Sequence, residues 1–223
     1  MPRPTTSIDR RAFLAGSVST GLVMGLGMIS PGYGREQVVE DIGTSGSSPL
    51  FAPTVWFEIN VQGEILINIA EAEMGQHVGT ALARIVADEL GADWSKVSIR
   101  HVDSDPKWGY MITASSWSVF TSFETLSRAG AAGRIILIDA GAKLLGVDPT
   151  DCQAMDSMII ASDRSISYAD VVAKGDIRRA FTEEELAALP IKSASERRLI
   201  GKATAALDVP AKSAGEATYG LDV

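Results

Sequence analysis

The sequence predicts an α+β fold in which a small sheet, a hairpin plus further strands, is packed with helices, and three observations carry that expectation. Val55-Trp56-Phe57-Glu58-Ile59-Asn60 and Glu64-Ile65-Leu66-Ile67-Asn68-Ile69 are β-rich runs joined by a short turn at Gln62-Gly63, the pattern of a hairpin with an apolar inner face. Leu82, Ile85, Val86 and Leu90 then recur at helical spacing, with Gly91 placed to stop the helix. From Ser116 to Leu145 the pattern is helical again, and Ala129-Gly130-Ala131-Ala132-Gly133 would let another backbone approach closely. Helices layered on a small sheet are the economical arrangement of such an order.

The elements follow one another from an N-terminal address. Arg10-Arg11 and Phe13-Leu14 stand at the head of an uncharged stretch, Ala12 to Ile29, that holds glycines and serines rather than solid leucine, which resembles a twin-arginine export signal. The alternative is a weak membrane anchor, because about 18 residues at roughly 1.5 Å each barely cross a hydrocarbon core. Ile29 to Gly34 offers no clear cleavage site, so an uncleaved, anchoring signal stays open. Residues 1–34 are therefore read as the signal and 35–53, rich in Gly and Ser, as a linker. Beyond the hairpin and first helix, Lys96 to Val102 is a strand candidate, Met158 to Ser167 a lesser hairpin, and Ser167 a cap for a short helix through Ala173.

Composition excludes several functions. Of 223 residues, 20 are basic and 28 acidic, and a net charge of -8 gives no field for a nucleic-acid backbone. Cys152 stands alone, which excludes an internal disulfide, a thiolate zinc site and a cysteine-held iron–sulfur cluster on this chain. His77 and His101 have no second pair at ligand spacing and read as a loop and a strand residue, so no metal site is assigned. Redox chemistry would need a borrowed cofactor, and twin-arginine export, which carries folded proteins, fits a cofactor-dependent one.

Two stretches carry candidate binding residues. In Glu73-Met74-Gly75-Gln76-His77 a glycine turn leads into a helix, where free N–H groups and the helix dipole favour an anion. Gln76 adds an amide with one acceptor and two donors, suited to a polar ligand edge. Ser115, Ser116 and Ser118 precede the long helix, and their hydroxyls could bind phosphate oxygens or simply cap that helix. No histidine or lysine stands near them in sequence, which argues against a serine nucleophile. Glu71, Glu73 and Glu89 read as solvated or capping carboxylates, and no catalytic residue is assigned.

Glu73-Met74-Gly75-Gln76-His77-Val78-Gly79-Thr80-Ala81-Leu82, Ala87-Asp88-Glu89-Leu90 and Asp93-Trp94-Ser95-Lys96-Val97 resemble the E-M-G-Q-G-x-x-T-A-L block of the xanthine dehydrogenase and aldehyde oxidase family, nearest the isoquinoline 1-oxidoreductase β-subunit type. Thr113-Ala114-Ser115-Ser116-Trp117-Ser118-Val119 and Arg128 to Ala132 resemble that family's T-G-G-S-x-S-V and R-A-G-A-A stretches. Arg198 to Lys202, Leu207 to Lys212 and Tyr219 to Val223 resemble the lead-in to its hammerhead domain. The resemblance implies a partial molybdopterin-binding domain over 54–190 and the start of a truncated hammerhead over 191–223. It also implies oxidation of aldehydes or N-heterocycles with oxygen from water, and Gly75, Gln76, Ser116 and Ser118 as cofactor contacts. The cofactor it implies is molybdopterin cytosine dinucleotide, shared with another chain that supplies the rest of the molybdenum subunit and the catalytic glutamate. A small subunit would carry a [2Fe-2S] cluster, and a cytochrome is a candidate electron acceptor. Such a chain would be periplasmic and inactive alone. Three positions depart from the pattern: His77 replaces a glycine, Ala114-Ser115 a glycine pair, and Phe120 a frequent arginine. Because a Cβ can block close approach to a ligand, the departures favour an alternative, a truncated, non-catalytic exported module that binds or scaffolds.

Overall fold

The computed structural model describes residues 50–217, and of Leu50 and Phe51 only the backbone. The signal assigned to 1–34 and most of the linker assigned to 35–53 lie outside the described residues.

The apolar alternation after residue 55 does form the hairpin. Strands β2 (Phe57–Asn60) and β3 (Ile65–Ile69) pair antiparallel, with Phe57 opposite Ile67 and Ile59 opposite Ile65. Phe57, Ile59, Ile65, Ile67 and Ile69 all lie in the core, each worth about 1.5–3 kcal/mol of burial. The turn is held by Asn60, whose side-chain oxygen accepts the N–H groups of Gln62 and Glu64, and by Gly63 at φ +78°. A further strand, β1 (Leu50–Thr54), pairs antiparallel with β2. It begins four residues inside the stretch read as linker, because Leu50-Phe51-Ala52 forms an edge strand despite the serines and glycines before it.

After β3 the chain crosses through α1 (Val78–Leu90) to β4 (Val97–His101), which pairs parallel to β3, giving the order β1-β2-β3-β4. Gly91 ends α1 in the left-handed region at φ +70°, its N–H reaching the carbonyls of Ala87 and Asp88. Across α1 lies α2 (Ser118–Leu145). The small residues of α2 set the spacing: a Cβ on Gly130 would stand 2.6 Å from the Glu89 Cβ and 2.8 Å from the Val86 carbonyl oxygen, and one on Gly133 would stand 2.5 Å from the Phe57 ring.

A second sheet, β5 (Gln153–Met155), β6 (Met158–Ala161) and β7 (Arg164–Ser167), is an antiparallel meander. The lesser hairpin expected at 158–167 is its β6–β7 half. Ser167 caps α3 (Tyr168–Lys174) by accepting the Asp170 N–H. The meander docks where α1 ends: Ser157 N–H donates to the Gly91 carbonyl at 3.0 Å, and the buried Tyr168 hydroxyl donates to the Leu90 carbonyl. A short helix, α4 (Glu183–Ala188), follows with a capping box on Thr182 and Glu185.

The remaining chain, through α5 (Val209–Ala214), runs as a strap along one polar stripe of α1. Glu89 accepts the Lys192 N–H at 3.0 Å. The Asp88 carboxylate accepts those of Arg198, Leu199 and Ile200 at 2.8–3.1 Å. Arg84 donates to the Leu199 carbonyl at 2.6 Å, Thr80 accepts the Leu207 N–H at 2.9 Å, and His77 meets Asp208. Residues 77, 80, 84 and 88 share one face at i, i+3 and i+4 spacing, so the strap descends α1 from its C-terminus to its N-terminus.

Candidate functional site

The two motif stretches lie side by side. The Ala72 N–H donates to the Thr113 hydroxyl at 2.8 Å, and the Ser122 hydroxyl of α2 donates to the Glu71 carboxylate at 2.6 Å. The His101 ring nitrogen Nδ1, at the end of β4, meets the Glu71 carbonyl at 2.9 Å. Gly79 packs closely there: a Cβ on it would stand 2.7 Å from the Ile99 side-chain end and 3.0 Å from the imidazole of His101. Strand β3 thus delivers residues 71–77, and β4 with the start of α2 delivers residues 109–118, to one corner.

At the first stretch Gly75 adopts φ +95° with open space where a Cβ would point, and His77 adopts φ +57°. Gln76 is exposed but folded onto its own loop: its carbonyl oxygen accepts the Met74 N–H at 2.5 Å and its amide donates to the Ala72 carbonyl at 2.9 Å. One amide hydrogen and one lone pair remain for a ligand. The N–H groups of Gly75 and His77, expected to stand free for an anion, are already taken by the Glu73 carboxylate at 2.7 and 3.1 Å.

At the second stretch Ser115 and Ser116 are both left-handed, at φ +53° and +59°. Trp117 occupies the N-cap of α2 and makes no side-chain cap bond. The serines therefore do not cap the helix, and the hydroxyls of Ser116 and Ser118 have no partner among the described residues.

Charge at the corner comes from the strap. His77 Nδ1 lies 2.9 Å from Asp208, and the Lys212 ammonium bonds both Asp208 and, at 3.3 Å, Glu73. Burial alone would raise the Glu73 carboxyl, but the N–H groups of His77 and Gly75, with Lys212, outweigh it and hold it below the ordinary carboxylate range. Asp208 is likewise lowered, burial being overcome by bonds to Lys212 and His77, and Lys212 is raised by Asp208. Glu73, His77 and Asp208 bring ligand atoms within 4.8 Å of one another, and the Lys212 ammonium is the cation that sits among them. Reading each motif separately could not reveal this network, although the i, i+4 spacing of Asp208 and Lys212 was its one local signal.

Of the three carboxylates read as solvated or capping, Glu73 accepts N–H groups at the turn before α1, whereas Glu71 and Glu89 are buried. Glu71 is buried against Ser122, and Glu89 is wholly buried between Arg134 and Arg197, each at 3.4 Å. Burial pushes the Glu89 carboxyl up, against the pull of the Lys192 N–H and the two guanidinium groups. Its work is structural, fixing α1, α2 and the strap.

The small α+β domain thus presents its two motif stretches stitched together at one corner. The chain belongs to the molybdopterin cofactor-binding domain family, whose model matches residues 21–196. It is 49% identical, over 99% of its length, to the membrane-bound aldehyde dehydrogenase (pyrroloquinoline-quinone) of Gluconacetobacter polyoxogenes, of which it covers 28%. It is 28% identical, over 98% of its length, to the isoquinoline 1-oxidoreductase subunit beta of Brevundimonas diminuta, of which it covers 32%. The crystal structure of quinoline 2-oxidoreductase from Pseudomonas putida 86 aligns with 52% of this chain and 15% of its own, at a TM-score of 0.45 and 25% identity. The chain thus spans about a third or less of the length of these relatives. Among the described residues no helix is long and apolar enough to cross a membrane.

Proposed function

We propose that this chain supplies one wall of the molybdenum-cofactor pocket in a hydroxylase that oxidises aldehydes or N-heterocycles, the remaining wall and the general base coming from further molybdenum-subunit polypeptide. The observation that supports this reading is the pairing of the two loops through Ala72 and Thr113, which joins the loop that carries the free valences of Gln76 to the stretch that leads into α2, whose Ser116 and Ser118 hydroxyls have no partner among the described residues. Gln76 and Ser116 are the leading contacts, with Gly75 and Ser118 behind them.

The residues fit the group in part. Gly75 leaves open space above its Cα, and Ser116 and Ser118 offer hydroxyl donors beside N–H groups at the start of α2 that no side chain caps. A phosphate fits the serine side, because at the glycine corner the Glu73 carboxylate already occupies the N–H groups and would repel a second anion. The pterin, being neutral and rich in amide-like edges, fits the Gln76 side. When bound, the cofactor would supply two-electron oxidation with oxygen drawn from water. In this chain Gln76 would orient the pterin edge, the serines would hold phosphate oxygens, and Glu73, locked by Lys212, would keep the loop in shape. The cytosine dinucleotide form, a [2Fe-2S] partner subunit and a cytochrome acceptor belong to the same reading. So does periplasmic delivery through Arg10-Arg11, and the name of the relative described as membrane-bound agrees with action at a membrane.

A second reading, a non-catalytic exported module, is favoured by one specific feature: His77 stands where the family pattern has glycine and is tied to Asp208. Co-purification from a molybdopterin-making host, with the complementary polypeptide co-expressed, separates the two. Molybdenum and pterin retained in the complex, and lost on Gln76→Ala or Ser116→Ala with the fold intact, are the expected results. A complex free of molybdenum would remove the first reading, and one carrying a quinone instead would replace its cofactor.

A further inference from the structure

Two helices of this chain start at residues whose side chains do not cap them. His77 stands at the N-cap of α1 and Asp208 at the N-cap of α5, and neither side chain bonds the helix it precedes, although an aspartate in that place ordinarily accepts an N–H of the first turn. They meet each other instead, with His77 Nδ1 at 2.9 Å from both Asp208 oxygens. From there the contacts close into a ring. Asp208 accepts the Lys212 ammonium, Lys212 reaches Glu73 at 3.3 Å, and Glu73 accepts the His77 N–H at 3.1 Å, which returns to the first member. Gln76 lies within the stretch this ring pins, because Glu73 also accepts the Gly75 N–H at 2.7 Å. His77 keeps φ +57° and ψ +34°, a left-handed conformation that glycine takes freely and a side chain disfavours. Such a residue persists where its surroundings over-determine it, and the ring supplies that constraint.

We propose that His77 and Asp208 are positioning residues, which fix the loop so that the Gln76 amide stays bonded to Ala72 and Met74 and keeps one hydrogen and one lone pair for a ligand. The inference deepens the cofactor-wall reading and rests on it only for what Gln76 would hold. Gln76 is exposed, and an exposed glutamine on a turn otherwise samples several rotamers. Pinning the backbone on both sides of it removes that freedom before a ligand arrives, so that less ordering is left for binding to offset. Asp208 can act as the fixed end because its own place is set without His77. The Leu207 N–H donates to the Thr80 hydroxyl at 2.9 Å, and the N–H groups of Arg198, Leu199 and Ile200 donate to Asp88. The ring keeps its charges at neutral pH, since Glu73 and Asp208 are held below the ordinary carboxylate range and Lys212 above the ordinary amine value. Asp208 and Lys212 both lie beyond residues 21–196, the stretch that the family model matches, so the corner of that domain is finished by the chain that follows it.

The test labels the glutamines of the full chain with nitrogen-15, which gives four side-chain amides, Gln37, Gln62, Gln76 and Gln153, and measures their proton exchange by NMR with no cofactor present. The Gln76 proton bonded to Ala72 is expected to exchange at least fivefold more slowly than the side-chain amide protons of Gln62 and Gln153. His77→Gly and Asp208→Asn should each bring it within twofold of theirs, and the double variant should add nothing further. Asp208→Glu, which keeps the carboxylate, should stay nearer the wild type than Asp208→Asn. Gly130→Ala, which weakens the fold at the α1–α2 contact, should leave Gln76 protected, and this separates positioning from general stability. A Gln76 amide no slower than that of Gln62, protection that survives both single substitutions, or equal loss with Gly130→Ala would each overturn the proposal. In the complex from a cofactor-making host, Asp208→Asn should lower molybdenum retention at least fivefold, and unchanged retention would overturn the proposal as well. A wild-type complex without molybdenum, with Gln76 exchange responding as expected, would uphold the positioning role and remove the cofactor-wall reading.

Discussion

At the scale of single residues, the corner is governed by who holds which N–H group. Glu73 accepts two of them and is itself held by Lys212, so the glycine turn is shaped by an internal anion. Gly75 at φ +95° would tolerate no side chain without strain, although space is open there; Gly75→Ala should lower stability by about 1 kcal/mol or more, read from the urea midpoint. Glu89 has a sharper role, because its removal leaves Arg134 and Arg197 without their carboxylate in a largely buried site. Glu89→Ala should cost about 3 kcal/mol, measured by urea unfolding. The lowered carboxyls of Glu73 and Asp208 give a pH dependence of definite sign. The unfolded chain binds their protons at higher pH than the folded one, so their contribution is complete above the ordinary carboxylate range near 4 and is lost as pH falls through the depressed folded values. Between pH 6 and pH 3 the Tm should fall, and Lys212→Met, which removes the bonded ammonium, should narrow that fall. An unchanged difference in the variant would contradict the network.

Among elements, legibility followed the range of the signal. The β2–β3 hairpin, α1 with its Gly91 stop, β4, α2 and the Ser167 cap all follow from patterns within a dozen or so residues, and each formed close to its expected limits. Strand β1 and strand β5 were illegible for a common reason: each is short, and each is defined by the partner it pairs with rather than by its own alternation. The strap was illegible too. Nothing in Arg198-Leu199-Ile200 announces that three of its N–H groups will be received by Asp88, more than a hundred residues earlier. The candidate site divides in the same way, since its two motifs could be read off the sequence while Asp208 and Lys212 could not. The small residues of α2 were legible as a close approach, and that approach is testable. Gly130→Ala places a Cβ against the backbone of α1, which cannot give as a flexible side-chain end can, and should cost about 1–3 kcal/mol by the same unfolding measurement.

At the scale of the described domain, the first sheet, two helices and strap make a scaffold that presents the polar corner. Fixing such a corner on helices and strands holds a ligand more precisely than loops alone would, and the strap closes the network from the opposite side through Asp208. In the proposed function the pterin and its phosphate would lie against residues 72–77 and 113–120. Amide hydrogen exchange, compared between the cofactor-loaded and cofactor-free forms of one and the same complex, reads this most directly, because the partner's own protection cancels. Slower exchange on loading, concentrated in those two segments and absent from the second sheet, is the expected result; equal exchange there in both forms would contradict the account.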